Sequence, residues 1–115
     1  MGLNELMEKY PLVYPVKPSC GVYYPIGWEN LVLAFSKEVT RYLKQNPIQG
    51  FFVTQIKEKF GELTIYVQCG DKNIYELIDK YGKISLETCT QCGSGEGILR
   101  TDGWINVICK ECYED

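Results

Sequence analysis

Apolar residues recur in two different periods along this chain, and the switch between them predicts its elements. Leu3, Leu6, Met7 and Tyr10 fall at i, i+3, i+4 and i+7, which predicts a short amphipathic helix stopped by Pro11. Trp28, Leu31, Val32, Phe35, Val39, Tyr42 and Leu43 keep the helical period for about four turns. Glu29, Lys37, Glu38, Arg41 and Lys44 lie on the opposite face, and Asn46-Pro47 closes this central helix. The period then changes to two. Residues 51–60 and 63–69 are β-rich runs joined near Gly61-Glu62, which predicts a hairpin. Alternation sets Phe52, Ile56 and Phe60 on one side of the first strand, with Gln55, Lys57 and Lys59 on the other. In the second strand Leu63, Ile65 and Val67 oppose Thr64, Tyr66 and Gln68. Helical spacing returns at Ile74, Leu77, Ile78 and Tyr81, with Gly70 or Asp71 as the starting residue and Gly82 as a stop or a tolerated glycine.

Between the first two helices, residues 11–27 carry four prolines, Gly21 and Gly27, so this stretch reads as an irregular strap across the core. Tyr10, Tyr14, Tyr23 and Tyr24 give it an aromatic surface, and Tyr23 and Tyr24 are candidate binding residues. Lys57, Lys59 and Tyr66 form a second candidate surface, on the outward face of the hairpin.

The last quarter of the chain has a different logic. Cys89-Thr90-Gln91-Cys92 is followed sixteen residues later by Cys109-Lys110-Glu111-Cys112. Two residues between thiols let a tight turn aim both sulfurs at one ion, and a second such turn completes a tetrahedron. Gly93-Ser94-Gly95-Glu96-Gly97 reads as a loop. Ile98-Leu99-Arg100 and residues 104–108 read as strands joined at Thr101-Asp102-Gly103. Turn, hairpin and turn make a zinc ribbon, with Cys89, Cys92, Cys109 and Cys112 holding one structural Zn2+ per chain. Trp104 is expected to cover this hairpin against the rest of the molecule.

The fold class expected is therefore α+β: a small antiparallel hairpin packed with two main helices, plus a C-terminal zinc ribbon. Residues 1–87 form the body, with its N-terminal helix and strap, and residues 88–115 form the ribbon packed on it. With 115 residues, 45% apolar, the chain is long enough for a real core. Cys20 and Cys69 have no second thiol nearby and are expected to be buried free cysteines, with a disulfide between them or a reactive thiol as the lesser alternatives.

Composition narrows the chemistry. The chain holds no histidine, no phosphate-binding glycine loop and no Gly-x-Ser-x-Gly elbow, and four thiolates leave no open metal position for a water. A non-catalytic protein is expected. The body is neutral, with ten basic and ten acidic residues. In the ribbon Arg100 and Lys110 stand against Glu96, Asp102, Glu111, Glu114 and Asp115, a net charge of −3. A zinc tetrathiolate is itself anionic, so the ribbon is a poor clamp for a polyphosphate backbone. No run approaches the length of a membrane span. Nothing at the N-terminus resembles a signal peptide, and thiolate ligands favour a reducing compartment, so the cytoplasm is expected.

Several blocks combine into one pattern. They are Gly27-Trp28 opening a helix, Gln55-Ile56-Lys57-Glu58-Lys59-Phe60-Gly61-Glu62-Leu63 running into Ile65-Tyr66-Val67, and Ser85 ahead of Cys89-Thr90-Gln91-Cys92-Gly93, with Gly103-Trp104 before Cys109. The pattern, spanning residues 27–112, resembles a group of small, largely uncharacterised bacteriophage and bacterial proteins. The resemblance implies the zinc ligands and a phage or prophage setting, in a host cytoplasm. By analogy of setting it also implies an accessory factor that binds and modulates or inhibits a host protein, a defence component among the candidates. Two other readings stand beside it. One is nucleic-acid binding through Lys57, Lys59, Arg41 and Lys44 with Tyr66 stacking on a base. The other is capture of a small anionic, nucleotide-type ligand by an oligomer, with Lys57 and Lys59 as its hooks.

Overall fold

The computed structural model describes residues 2–114, and its elements alternate as the two periods dictate. Helix α1 covers Leu3–Lys9, α2 Glu29–Gln45 and α3 Lys72–Ser85, with strands β1 Phe52–Lys59 and β2 Glu62–Gln68 between α2 and α3. Strands β3 Ile98–Arg100 and β4 Asn106–Ile108 form a second hairpin, and a short helix α4 covers Lys110–Glu114. The fold is α+β, with two small antiparallel sheets, β1–β2 and β3–β4.

Helix α2 is the centre of the core. Trp28, Val32, Phe35, Val39 and Leu43 are buried along its stripe, while Leu31 and Tyr42 are half-buried at the margin. A single 3₁₀ turn, Ile26–Trp28, feeds directly into it. Helix α1 contributes Leu6, and the chain beyond it adds Tyr10, Val13 and Tyr14. The Tyr14 hydroxyl lies 2.6 Å from Ser36 Oγ, and Ser36 in turn donates to the Val32 carbonyl at 2.8 Å. The pair satisfies two polar groups inside the core. Burial pushes the Tyr14 phenol well above its ordinary range.

Helix α3 starts at Asp71, whose carboxylate accepts from the Ile74 amide at 2.9 Å. Gly82 is tolerated within the helix, where it lets α3 approach β2. A Cβ there would sit 2.7 Å from a Glu62 carboxylate oxygen and 3.3 Å from the Leu63 carbonyl. Ser85, the last residue of α3, donates to the Gly82 carbonyl and accepts from the Leu63 amide at 2.8 Å. One hydroxyl thereby closes the helix and caps the open edge of β2.

The first hairpin departs from strict alternation in two places. A bulge between Val53 and Gln55 shifts the register, so Val53 and Ile56 both point into the core and Phe52 does not share the buried face with Ile56 as a pure period of two would require. Phe60 is not a strand residue. It and Gly61 form the two-residue turn between Lys59 and Glu62, with φ values of 52° and 86°, and Phe60 is 72% exposed. Positive φ at both central positions is the type I′ geometry that matches strand twist. The Glu58 carboxylate accepts from the Gly61 amide at 2.6 Å and pins this turn.

The strap runs along the other edge of β1. Cys20 N–H donates to the Thr54 carbonyl at 3.0 Å, Ile56 N–H to Gly21 at 3.1 Å and Tyr23 N–H to Ile56 at 2.8 Å, around a parallel bridge of Val22 with Ile56. The prolines of the strap are what this position tolerates, since an edge segment needs only some of its amides. Cys20 and Cys69 are free and both exposed, so the expectation of buried thiols fails. Cys20 lies on this outer edge, and Cys69 sits in the turn after β2 with φ of 58°.

Candidate metal centre

The four paired cysteines converge. Among the described residues, Cys89, Cys92, Cys109 and Cys112 form a cluster whose Sγ atoms all lie within 4.8 Å of one another, with Cys92 and Cys109 at 3.7 Å. Tetrahedral M–S bonds of about 2.3 Å require sulfur separations of about 3.8 Å. The observed spacing therefore fits a single tetrahedral ion held by four thiolates.

Local backbone chemistry explains why. After Cys89 the chain folds into a tight turn in which the Gly93 amide donates to the Cys89 carbonyl at 3.0 Å, with Gly93 at φ of 80°. The Gln91 amide points at the Cys89 sulfur at 3.4 Å. Cys109 and Cys112 are placed differently. Cys109 follows the end of β4, and Cys112 is carried by α4, whose Tyr113 amide donates back to the Cys109 carbonyl at 2.9 Å. This short helix was not legible in Lys110–Glu114, because five residues hold too little periodicity. The two halves are tied by Thr90, whose amide donates to Val107 and whose hydroxyl donates to Asn106 Oδ1, both at 2.9 Å.

Burial raises the Cys89 thiol, but the backbone amides of Cys92, Cys109 and Gln91 outweigh it and hold it at about 6. Cys112 is pushed up, first by Cys109 and then by burial. The Ser94 amide lowers Cys92, but the Cys109 thiol and burial raise it further, so Cys92 also stands above the ordinary thiol range. A bound dication would favour the thiolate form of all four sulfurs. The shell is then complete, which is the chemistry of a structural site.

The ribbon is fastened to the rest of the molecule at two seams. In the first, Gly27 N–H donates to the Thr90 carbonyl at 2.8 Å, and the Trp28 indole N–H donates to the Thr88 carbonyl at 2.9 Å. A Cβ on Gly27 would collide with the Cys89 carbonyl and come within 2.5 Å of the Thr90 carbonyl carbon. In the second, the Phe60-Gly61 turn rests on the outer hairpin, where a Cβ on Gly61 would lie 2.6 Å from Leu99 Cδ1. The sequence marks Gly27 only as the residue before Trp28 at the opening of the central helix; its close approach to Cys89 and Thr90 has no local signal.

Trp104 does not cover the hairpin. It is 89% exposed in the loop before β4, which starts at Asn106 rather than Trp104. The Gly61 turn lies against Leu99, Ile105 and Val107 of the hairpin instead, and buried Val107 also lies 2.7 Å from where a Gly97 Cβ would be. On the ribbon's other side the Arg100 guanidinium lies 3.7 Å from the centre of the Tyr113 ring, a cation–π contact joining β3 to α4.

The other candidate residues divide. Lys57 and Tyr66 share the outward face of the first sheet, with Lys57 Nζ 5.8 Å from the Tyr66 ring centre. Lys59 is exposed further along the same face. Tyr23 joins them through the strap: its ring lies over Gly21, and it is 74% exposed. Tyr24 points the other way and packs against the core, so it is removed from the candidate surface.

Fold and site together define a small α+β protein with a four-cysteine, ribbon-like metal centre. The chain matches no protein family, no curated protein and no solved structure. Among the described residues no helix is long and apolar enough to cross a membrane.

Proposed function

We propose that this is a non-catalytic interaction protein whose ribbon is stapled by one structural Zn2+. The observation that carries the reading is the closed tetrathiolate geometry, in which every ligand comes from the chain and no position is left for a reacting water. Zinc is the metal that four thiolates at tetrahedral spacing favour where no redox role is called for. In the phage or prophage setting that the sequence resemblance implies, the partner is a host protein met in the cytoplasm. The anionic ribbon directs that partner's charge, since Arg100 is engaged with Tyr113 and Lys110 is the one other ribbon cation. The test is affinity capture of the tagged chain from bacterial lysate, with and without nuclease. A discrete protein partner that survives nuclease supports the reading; material lost on nuclease treatment refutes it.

A second reading is favoured by one observation. The strap places Tyr23 beside the Lys57–Tyr66 face, giving two exposed aromatic rings and two lysines on one sheet surface. Such a face suits stacking on single-stranded nucleic acid. Binding of that kind weakens steeply as salt rises.

A further inference from the structure

Helix α2 buries one stripe in the core and carries three cations along another. Lys37, Arg41 and Lys44 stand at i, i+4 and i+7, a spacing that stacks them on one helical face. The end of α1 brings a fourth, Lys9. Together with Tyr10 and Thr40, these residues line a cleft of about 400 Å³. No carboxylate lines it, and neither Lys57 nor Lys59 does. Among the described residues the ion pairs are Lys80 with Glu38 and Lys83 with Asp79, so none of the four cleft cations is paired.

Helix ends explain part of this arrangement. Lys9 and Lys44 lie in the last turns of α1 and α2, where a cation faces free carbonyls. Lys37 and Arg41 lie further up α2 and gain nothing from its end. Arg41 instead repels Lys37 four residues before it and Lys44 three residues after it, and each like-charge pair of this kind weakens a helix. Glu38, the acid next in sequence, gives no relief, because Lys80 holds it at 3.0 Å. The fold has no use for four unpaired cations around one cleft in a chain whose net charge is −3.

The lining also says which anion fits. Tyr10 is 8% exposed, with Lys9 Nζ 5.7 Å from its ring centre, and its hydroxyl has no hydrogen-bond partner among the described residues. Thr40 gives its proton to the Ser36 carbonyl at 2.7 Å and serves as wall. Charge density then discriminates. A phosphate monoester carries about −1.5 to −2 at neutral pH, so two phosphate groups match four cations within one cleft. Carboxylates bring one charge each, and four of them would have to crowd into the same space. A nucleic-acid strand brings one charge per phosphate and is held by a track of cations, whereas these four sit around a single cleft. The planar fork of Arg41 suits a phosphate bidentately.

We propose that Lys9, Lys37, Arg41 and Lys44 form a binding site for a small ligand with two or more linked phosphate groups, of the pyrophosphate or nucleoside polyphosphate class. Arg41 takes one phosphate, Lys37 and Lys44 flank it along α2, and Lys9 closes the cleft from α1. The Tyr10 hydroxyl is available as a neutral donor. The site shares no residue with the metal centre or with the Tyr23, Lys57 and Tyr66 face, so it goes beyond the interaction reading and stands or falls separately from it.

The experiment is calorimetric titration of the metal-loaded protein with pyrophosphate and, separately, with ATP. The wild type is expected to bind, with affinity at least about tenfold lower when Lys37→Ala and Arg41→Ala are combined. Lys37→Arg keeps the charge and should keep the affinity, and Lys57→Ala with Lys59→Ala should bind as the wild type does. The alanine changes remove repulsion from an exposed helix face, so that double variant should melt no lower than the wild type, and its lost binding is then not unfolding. Heat from stripping the ribbon's ion would be the same in both proteins, so the difference between them reports the cleft. Amide shifts on titration should centre on residues 9–10 and 37–44. Equal affinity for the two ligands assigns binding to the phosphates alone, and tighter binding of ATP adds a contact to the nucleoside; both support the site. No binding at millimolar pyrophosphate or ATP, equal binding by the double alanine variant, or shifts centred on Lys57 and Tyr66 overturn it. A single-stranded oligothymidylate or an oligoglutamate that binds this cleft more tightly than either ligand overturns the assigned ligand class.

Discussion

The indole N–H of Trp28 reaches sixty residues along the chain to the carbonyl of Thr88, one residue before the first cysteine of the metal centre. The bond is buried, so the ring that anchors the central helix also fixes where the ribbon begins. Trp28→Phe keeps most of the apolar volume and removes the donor. It is expected to cost about 1–3 kcal/mol, because the Thr88 carbonyl is left without its partner. Chemical denaturation of the metal-loaded protein measures this.

Gly27→Ala is expected to be at least as damaging. The added methyl meets backbone of Cys89 and Thr90, which cannot swing aside as a side chain can. Overpacking of this kind costs about 1–3 kcal/mol or more. Because the backbone it displaces carries a ligand, the variant should also surrender its metal faster to a chelator. A variant with unchanged release kinetics would show that this seam does not brace the site.

Cys109→Ser removes a ligand that is buried and lies 3.7 Å from Cys92. The expected outcome is loss of bound metal from about one equivalent per chain to none at chelator concentrations the wild type tolerates. Elemental analysis after gel filtration reads it out, and Cys89→Ser should match it. Cys20→Ser and Cys69→Ser, at exposed thiols outside the cluster, should retain full metal content.

Asp71 gives a pH-dependent test. The hydroxyl of Tyr42 and the Ile74 amide both donate to its carboxylate and hold it below the usual carboxylate range. A depressed carboxylate contributes stability that is present above its unfolded-state pKa and is lost as pH falls through the folded-state value. Asp71→Ala should therefore cost about 1 kcal/mol near neutrality, as a lost N-cap does. The difference from wild type should shrink in acid. Comparing the two proteins at each pH cancels whatever metal both lose.

Lys57→Ala with Lys59→Ala should leave stability within about 0.5 kcal/mol of the wild type, since both side chains point away from the core. The same pair tests the nucleic-acid reading, which requires the double variant to lose affinity for single strands.

The long helices were legible because each carries a full apolar stripe, and the four ligands because their spacing admits few other uses. What escaped the sequence depended on single residues whose meaning is set by distant neighbours. Alternation put Phe60 in a strand, and only the pairing of Lys59 with Glu62 shows that it belongs to the turn. The bulge after Val53 has no local signature, so the face of Phe52 was misassigned. Hydrophobicity alone gives Trp104 a covering role, whereas the Gly61 turn already lies against Leu99, Ile105 and Val107. Cys20 and Cys69 were assigned by the usual habit of free cysteines, and their exposure follows from an edge segment and a left-handed turn that composition does not reveal.

The two seams have a thermodynamic corollary. With Gly27 and Trp28 on one side and Gly61 on the other, the ribbon is braced by residues that belong to the core's main helix and main hairpin. Metal binding and core stability are then linked quantities, each changing the other by the same free energy. A substitution deep in the body, such as Phe35→Ala, will weaken the hold on the ion without touching a ligand, and titrating the ion will measure the health of a core that supplies none of its ligands.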